Sequence, residues 1–144
     1  MSGQKTVWVT GTSSGLGLHT AAALKEDGWC VIAGARSFED GEQEGIHRLT
    51  LDVTDEESIL RFCEKAQEIA PPDALVQCAG MLVLGSCEET AAEEFRRVID
   101  TGLYAYVEGH YCLDSPEYIF TDRYGFRHLR PEARENMSAC CLVF

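Results

Sequence analysis

The stretch Thr6-Val-Trp-Val-Thr-Gly-Thr-Ser-Ser-Gly-Leu-Gly-Leu18 constrains this chain more than any other. Five residues of β-branched and aromatic character run into glycines at 11, 15 and 17. An apolar, alanine-rich segment follows, through Ala21-Ala22-Ala23-Leu24. A buried strand that enters a helix through a glycine turn is the opening of a β-α-β unit. The first N–H groups of such a helix have no partner within it, and the helix dipole is positive there. A phosphate is the natural occupant of that position.

The rest of the first hundred residues alternates in the same sense. Residues 6–10 read as the first strand. A helix from about 15 to 27 stops near Gly28, and Cys30-Val-Ile-Ala-Gly-Ala35 is the second strand. Residues 37–45 are polar and glycine-punctuated, which predicts a loop or at most one helical turn. Ile46 to Val53 alternates as a third strand. Thr54 with Glu57 matches a capping box and opens a helix that places Ile59, Leu60, Phe62, Cys63, Ala66 and Ile69 at helical spacing, up to Pro71-Pro72. Ala74 to Ala79 is the fourth strand, closed by Gly80. Thr90 with Glu93 is a second capping box, before a helix with Phe95, Val98 and Ile99 on one face. Strands that alternate with helices form a parallel sheet with helices on both faces. The expected fold is therefore α/β, a three-layer Rossmann-type doubly wound sheet with strand order 3-2-1-4, truncated after the fourth strand and its following helix.

Composition narrows the partners. With 144 residues the chain is long enough for one domain with a real core. A net charge of −12 argues against nucleic acid or an anionic membrane as partner. No run of about 18 apolar residues is present, as a spanning helix needs. Met1-Ser-Gly-Gln-Lys5 leads straight into the first strand without a signal-type apolar region, so a cytoplasmic protein is expected. The seven cysteines are odd in number and irregular in spacing, which predicts reduced thiols rather than a disulfide framework. There is no C-x-x-C pair. His110, Cys112 and Asp114 have ligand chemistry, but such triplets are common by accident, and no metal site is assigned. The last four residues, Cys141-Leu-Val-Phe144, fit a C-a-a-X prenylation box without a polybasic stretch before it. Prenylation at Cys141 is the one route by which a membrane would become a partner.

Four places carry the chemistry. Thr10-Gly11-x-x-x-Gly15-x-Gly17 sits between a strand and a helix, where Gly11 makes the tight turn. Gly15 and Gly17 let the backbone approach a pyrophosphate and let the helix pack closely. The alternative is a merely structural turn. Arg36 directly follows the second strand, where an acid would bind a ribose 2′-hydroxyl and an arginine suits a 2′-phosphate. It favours NADP(H) over NAD(H), which stays possible, unless it is a solvated surface arginine beside Glu39 and Asp40. Asp52-Val53 ends the third strand, where a carboxylate can accept from an adenine amino group or serve only to start the next helix. In Gln77-Cys-Ala-Gly80, small Ala79 and Gly80 let the backbone approach a cofactor, or form a plain strand exit.

Taken together, these pieces over residues 5–101 resemble the short-chain dehydrogenase/reductase family. That family has a Thr-Gly-x-x-x-Gly-x-Gly start, Asp-Val after the third strand and Asn-Asn-Ala-Gly after the fourth. The resemblance implies an oxidoreductase that interconverts alcohols and carbonyls with a nicotinamide dinucleotide. By the same resemblance, cofactor contacts fall on Gly11, Ser13, Ser14, Gly15, Leu16, Gly17, Arg36, Asp52, Val53, Ala79 and Gly80. Gln77-Cys78 departs from the asparagine pair.

The family's catalytic pattern does not continue. Its asparagine position falls on Gly102 here, and the only lysines are Lys5, Lys25 and Lys65, so no Tyr-x-x-x-Lys exists. Such a lysine lowers the tyrosine pKa for acid–base work near neutral pH. No catalytic residue is assigned. All five tyrosines (104, 106, 111, 118 and 124) follow residue 101, the alternation fades, and a short helix is expected only after Pro131. The expected organisation is a dinucleotide-binding half-domain at 1–101 and an unrelated or frameshifted tail at 102–144. Such a half would leave its fourth strand as a bare edge and helix 90–100 uncovered, and would be marginally stable and prone to self-association. A non-catalytic dinucleotide-binding or interaction module is the rival reading. Two further rivals are a prenylated peripheral protein and a translation product with no function of its own.

Overall fold

The computed structural model describes residues 3–86 and 88–101, and the strand backbone at 119–121, 127–129 and 140–143. The elements are β1 (Thr6–Thr10), α1 (Gly15–Glu26), β2 (Cys30–Ala35), β3 (Gly41–Gln43), β4 (Ile46–Thr50), α2 (Glu56–Ile69), β5 (Ala74–Gln77), α3 (Ala92–Ile99), β6 (Ile119–Thr121), β7 (Arg127–Leu129) and β8 (Cys140–Val143). The main sheet runs β3-β4-β2-β1-β5-β8, parallel except for β3 against β4. Its interior order β4-β2-β1-β5 is the 3-2-1-4 arrangement expected from the alternation. The fold is a truncated Rossmann-like α/β sheet.

β1 explains why the sheet needs helices on both sides. Side chains alternate across a strand. Val7 and Val9 pack with Ala21 of α1, Val31 and Val76 on one face. Trp8 points to the other face, among Ile32, Leu49, Phe62, Ala66 and Leu75. Trp8 is wholly buried; its indole N–H donates to the Ala70 carbonyl (3.2 Å), and its ring meets Phe62 edge-on at 5.8 Å. In α2, Ile59, Phe62, Cys63 and Ala66 are buried as expected, whereas Leu60 and Ile69 face solvent.

Several local expectations are corrected. Residues 37–40 form the expected loop, but Gly41–Gln43 is a strand and the arm of a hairpin. β3 returns into β4 through Glu44 (φ 55°) and Gly45 (φ 76°), a pair of left-handed residues that suits a tight two-residue turn. The third strand ends at Thr50 rather than Val53, and the fourth at Gln77 rather than Ala79. Asp55 caps α2 by accepting from the Glu57 N–H (3.1 Å); Thr54 instead donates its hydroxyl to Asp52 (2.7 Å). Ala91 is the N-cap of α3, and its N–H donates to Glu94 (3.3 Å), while the Thr90 hydroxyl turns back to the Ser86 carbonyl (2.9 Å). Alanine has no side-chain acceptor, so only the glutamate half of a capping box exists there.

The edge expected to be bare at β5 is paired. β8 lies parallel to it, with Ala74, Leu75, Val76 and Gln77 opposite Cys140 to Val143. β6 and β7 form a separate antiparallel pair, and a strand at Arg127–Leu129 stands in the polar stretch before the helix expected after Pro131. Phe95 remains 64% exposed and Ile99 36%, so α3 buries no side chain fully. Cys30 and Cys78 are free thiols; Cys63 is instead disulfide-bonded, contrary to the expectation of reduced thiols throughout. His110, Cys112, Asp114, Gly102, the five tyrosines and the Cys141 side chain lie outside the described residues. Among the described residues no metal-ligating cluster occurs, and no helix is long and apolar enough to cross a membrane.

Candidate functional site

The site is built from the turn after β1. Gly11 has φ 70°, and a Cβ there would sit 2.5 Å from the Ala79 nitrogen; only glycine lets this turn lie against the exit of β5. A Cβ on Gly17 would lie 2.1 Å from the Gly11 carbonyl oxygen, so α1 rests on the turn through a glycine contact. Thr12 locks the far side: it is buried, and both its N–H (3.2 Å) and its hydroxyl (3.1 Å) donate to the Gly34 carbonyl. The Ala79 N–H donates to the Thr10 hydroxyl (3.3 Å), tying the ends of β1 and β5 together.

The N-terminus of α1 differs from the other two. α2 and α3 carry Glu56-Glu57 and Glu93-Glu94 in their first turns, and each takes a side-chain bond at its cap. α1 has no acid in its first turn, and Ser14 makes no side-chain cap. Its first amides are left for an outside acceptor. Gly15 has φ 58°, a backbone conformation that favours glycine, and no atom lies within 4 Å of its Cβ position.

A cavity of about 240 Å³ opens here, outside the carboxyl ends of β1, β2, β4 and β5. The strand order reverses at β1, which has β2 on one side and β5 on the other, and ligands of open α/β sheets sit at such a switch point. Of the residues singled out from sequence, Gly11, Ser13, Ser14, Leu16, Gly17, Arg36, Asp52, Val53, Ala79 and Gly80 line it together; Gly15 does not. The wall also includes Ala35, Leu51, Thr54, Cys78, Met81 and Thr101. Most of these adjoin a motif residue. Thr101 lies beyond α3, and nothing in the local pattern announces it.

Two titratable groups in the wall are shifted. Burial acts most strongly on Asp52 and raises its pKa. Bonds from the Thr54 hydroxyl and N–H, with attraction from Arg36 and Arg97, outweigh it, and the carboxyl is held below its ordinary value. Asp52 is thus a carboxylate at neutral pH, an acceptor and not a donor. Burial pushes the Cys78 thiol up, against a hydrogen bond with Thr20, so it stays protonated rather than becoming a nucleophile.

Comparison with known proteins places this geometry. Residues 5–113 match the model of the short chain dehydrogenase family, so the match runs past Thr101, where the sequence pattern was expected to stop. An uncharacterized oxidoreductase of Bacillus subtilis, YusZ, is 36% identical over 115 residues, which are 72% of this chain and 41% of that protein. The aldohexose dehydrogenase of Thermoplasma acidophilum superposes with a TM-score of 0.68 at 28% identity, over 76% of this chain and 42% of that one. The alcohol dehydrogenase of Thermococcus sibiricus, in complex with 5-hydroxy-NADP, gives the same TM-score and identity over 76% of this chain and 52% of its own. The chain thus spans about half the length of these relatives. With the glycine turn, the strand order and the cavity all in register with that match, the chain belongs to the short-chain dehydrogenase family of oxidoreductases.

Proposed function

We propose that the chain is the nucleotide-binding portion of a reductase that holds NADP(H) in preference to NAD(H) and serves alcohol–carbonyl interconversion. The observation that carries this reading is the open N-terminus of α1, uncapped and free of acids, facing a cavity that also holds Arg36. The pyrophosphate would take the amides of the first turn of α1, with the Ser13 and Ser14 hydroxyls beside it. Arg36 would pair with a 2′-phosphate, Asp52 would accept from the adenine amino group, and Ala79 and Gly80 would let the backbone approach the nicotinamide side. The dinucleotide supplies the hydride chemistry. The residues of this chain bind and orient it.

No tyrosine of this chain has a lysine four residues on, so a proton donor tuned in the family's manner is not supplied by it. That observation favours, as a second reading, a dinucleotide-binding module that does not turn over substrate. In either case the 102–144 segment returns a strand to the sheet, with Cys140–Val143 paired to β5.

Arg36→Ala tests the cofactor assignment. A charge-assisted bond to phosphate is worth roughly 1.5–3 kcal/mol, so the Kd for NADPH should rise about tenfold to a hundredfold. The Kd for NADH should stay within about twofold, since NADH lacks the 2′-phosphate. Calorimetric titration of both dinucleotides reads this directly. Equal losses for the two would exclude a 2′-phosphate role for Arg36.

A further inference from the structure

We propose that Arg97 is a second cation for the 2′-phosphate beside Arg36, reaching the adenosine end of the cavity from α3. The inference rests on the dinucleotide reading and adds a specificity-determining residue to it. Three observations meet at this point. Thr101 lines the cavity, and it lies four residues after Arg97 on the same side of the helical path, so that side faces the cavity. Arg36 and Arg97 both attract the Asp52 carboxylate, a cavity-wall residue, so both guanidiniums lie within electrostatic reach of it. Neither arginine is engaged in an ion pair among the described residues, although Glu93 stands four residues before Arg97. The equivalent spacing in α2 does pair, Arg61 with Glu57 at 3.0 Å. Arg97 is therefore exposed, without an ion pair among the described residues, and within reach of a carboxylate whose Oδ1 already accepts twice from Thr54. A chain of net charge −12 that keeps one unpaired guanidinium in the cavity wall and a second within electrostatic reach of Asp52 in the same wall has a local field suited to a compact dianion. A 2′-phosphate carries such a charge and can pair with two guanidiniums at once, whereas a bare ribose hydroxyl has no charge to offer them.

The test compares Arg97→Gln with Arg96→Gln, which removes the same charge from the same helix, and with Arg97→Lys, which keeps the charge. Each variant is titrated with NADPH, NADH, adenosine 2′,5′-bisphosphate and ADP at low ionic strength. Arg97→Gln should weaken NADPH and the 2′,5′-bisphosphate about three- to tenfold, as for a solvent-exposed charge contact, and leave NADH and ADP within about twofold. Arg96→Gln should change none of them by more than about twofold, Arg97→Lys should keep most of the affinity, and 0.5 M salt should shrink the Arg97 effect. Equal losses from Arg96→Gln and Arg97→Gln, or equal losses for NADPH and NADH, would overturn the role of Arg97 alone. A wild-type chain that binds none of the four ligands would overturn the dinucleotide reading, and this inference with it.

Discussion

Gly17→Ala should weaken dinucleotide binding more than tenfold and lower stability, even though it adds one methyl group. The new Cβ would stand 2.1 Å from the Gly11 oxygen and 2.8 Å from its carbonyl carbon. Both are backbone atoms of a turn already pressed against Ala79, whose nitrogen stands 2.5 Å from where a Gly11 Cβ would be. No flexible side chain is there to yield. Relief requires α1 to move off the turn, which carries its first-turn amides away from the cavity. Overpacking of this kind costs about 1–3 kcal/mol. The loss of binding should exceed tenfold, because anion capture depends on several amides pointing at one place. Gly28→Ala is the comparison: its φ of 86° strains an alanine, but no atom lies within 4 Å, and the site is remote. It should lower stability by about 1 kcal/mol and leave binding unchanged. Denaturant titration and NADPH titration of the two variants separate the effects. Gly17→Ala binding as wild type would mean that α1 does not rest on the turn in this way.

Trp8→Ala carries the largest expected loss of stability. Trp8 stands at the centre of the face that α2 covers, with no exposed surface. Its removal leaves a cavity among Ile32, Leu75 and Phe62 and strips the Ala70 carbonyl of its indole donor. Truncation of a buried tryptophan costs about 3–5 kcal/mol. Against a typical total of about 5–15 kcal/mol, this removes a large share of the folded state's margin. Trp8→Phe should recover most of the loss, because it restores the ring and forgoes only the hydrogen bond. A urea midpoint for Trp8→Ala within experimental scatter of wild type would contradict the described core.

The sequence exposed what is periodic or stereochemically forced. β1 and β2 alternate or run apolar without interruption, and their ends are legible to the residue. Gly11 and Gly17 stand where any side chain would collide, so they mark the site whatever the surroundings. Other features depend on competition between neighbours. Thr54 and Asp55 can both cap a helix; Asp55 does so because Asp52 holds the Thr54 hydroxyl. β3 was hidden because Glu44, not asparagine or aspartate, takes the left-handed turn position before Gly45. The pairing of β8 with β5 was hidden for another reason. It joins segments more than sixty positions apart, and no local pattern encodes that choice. Thr101 entered the cavity wall by the same long-range route. The grouping of Arg36, Asp52 and the glycine turn was legible because each follows a strand of one parallel sheet, and the carboxyl ends of such strands converge.

Titration of the intact chain with NADPH, followed by the fluorescence of the reduced nicotinamide, tests the central claim most directly. Saturable binding with a Kd below about 1 mM, tighter than for NADH, is the predicted result. Absence of saturation for both dinucleotides, in a sample whose circular dichroism shows the folded α/β structure, would contradict it.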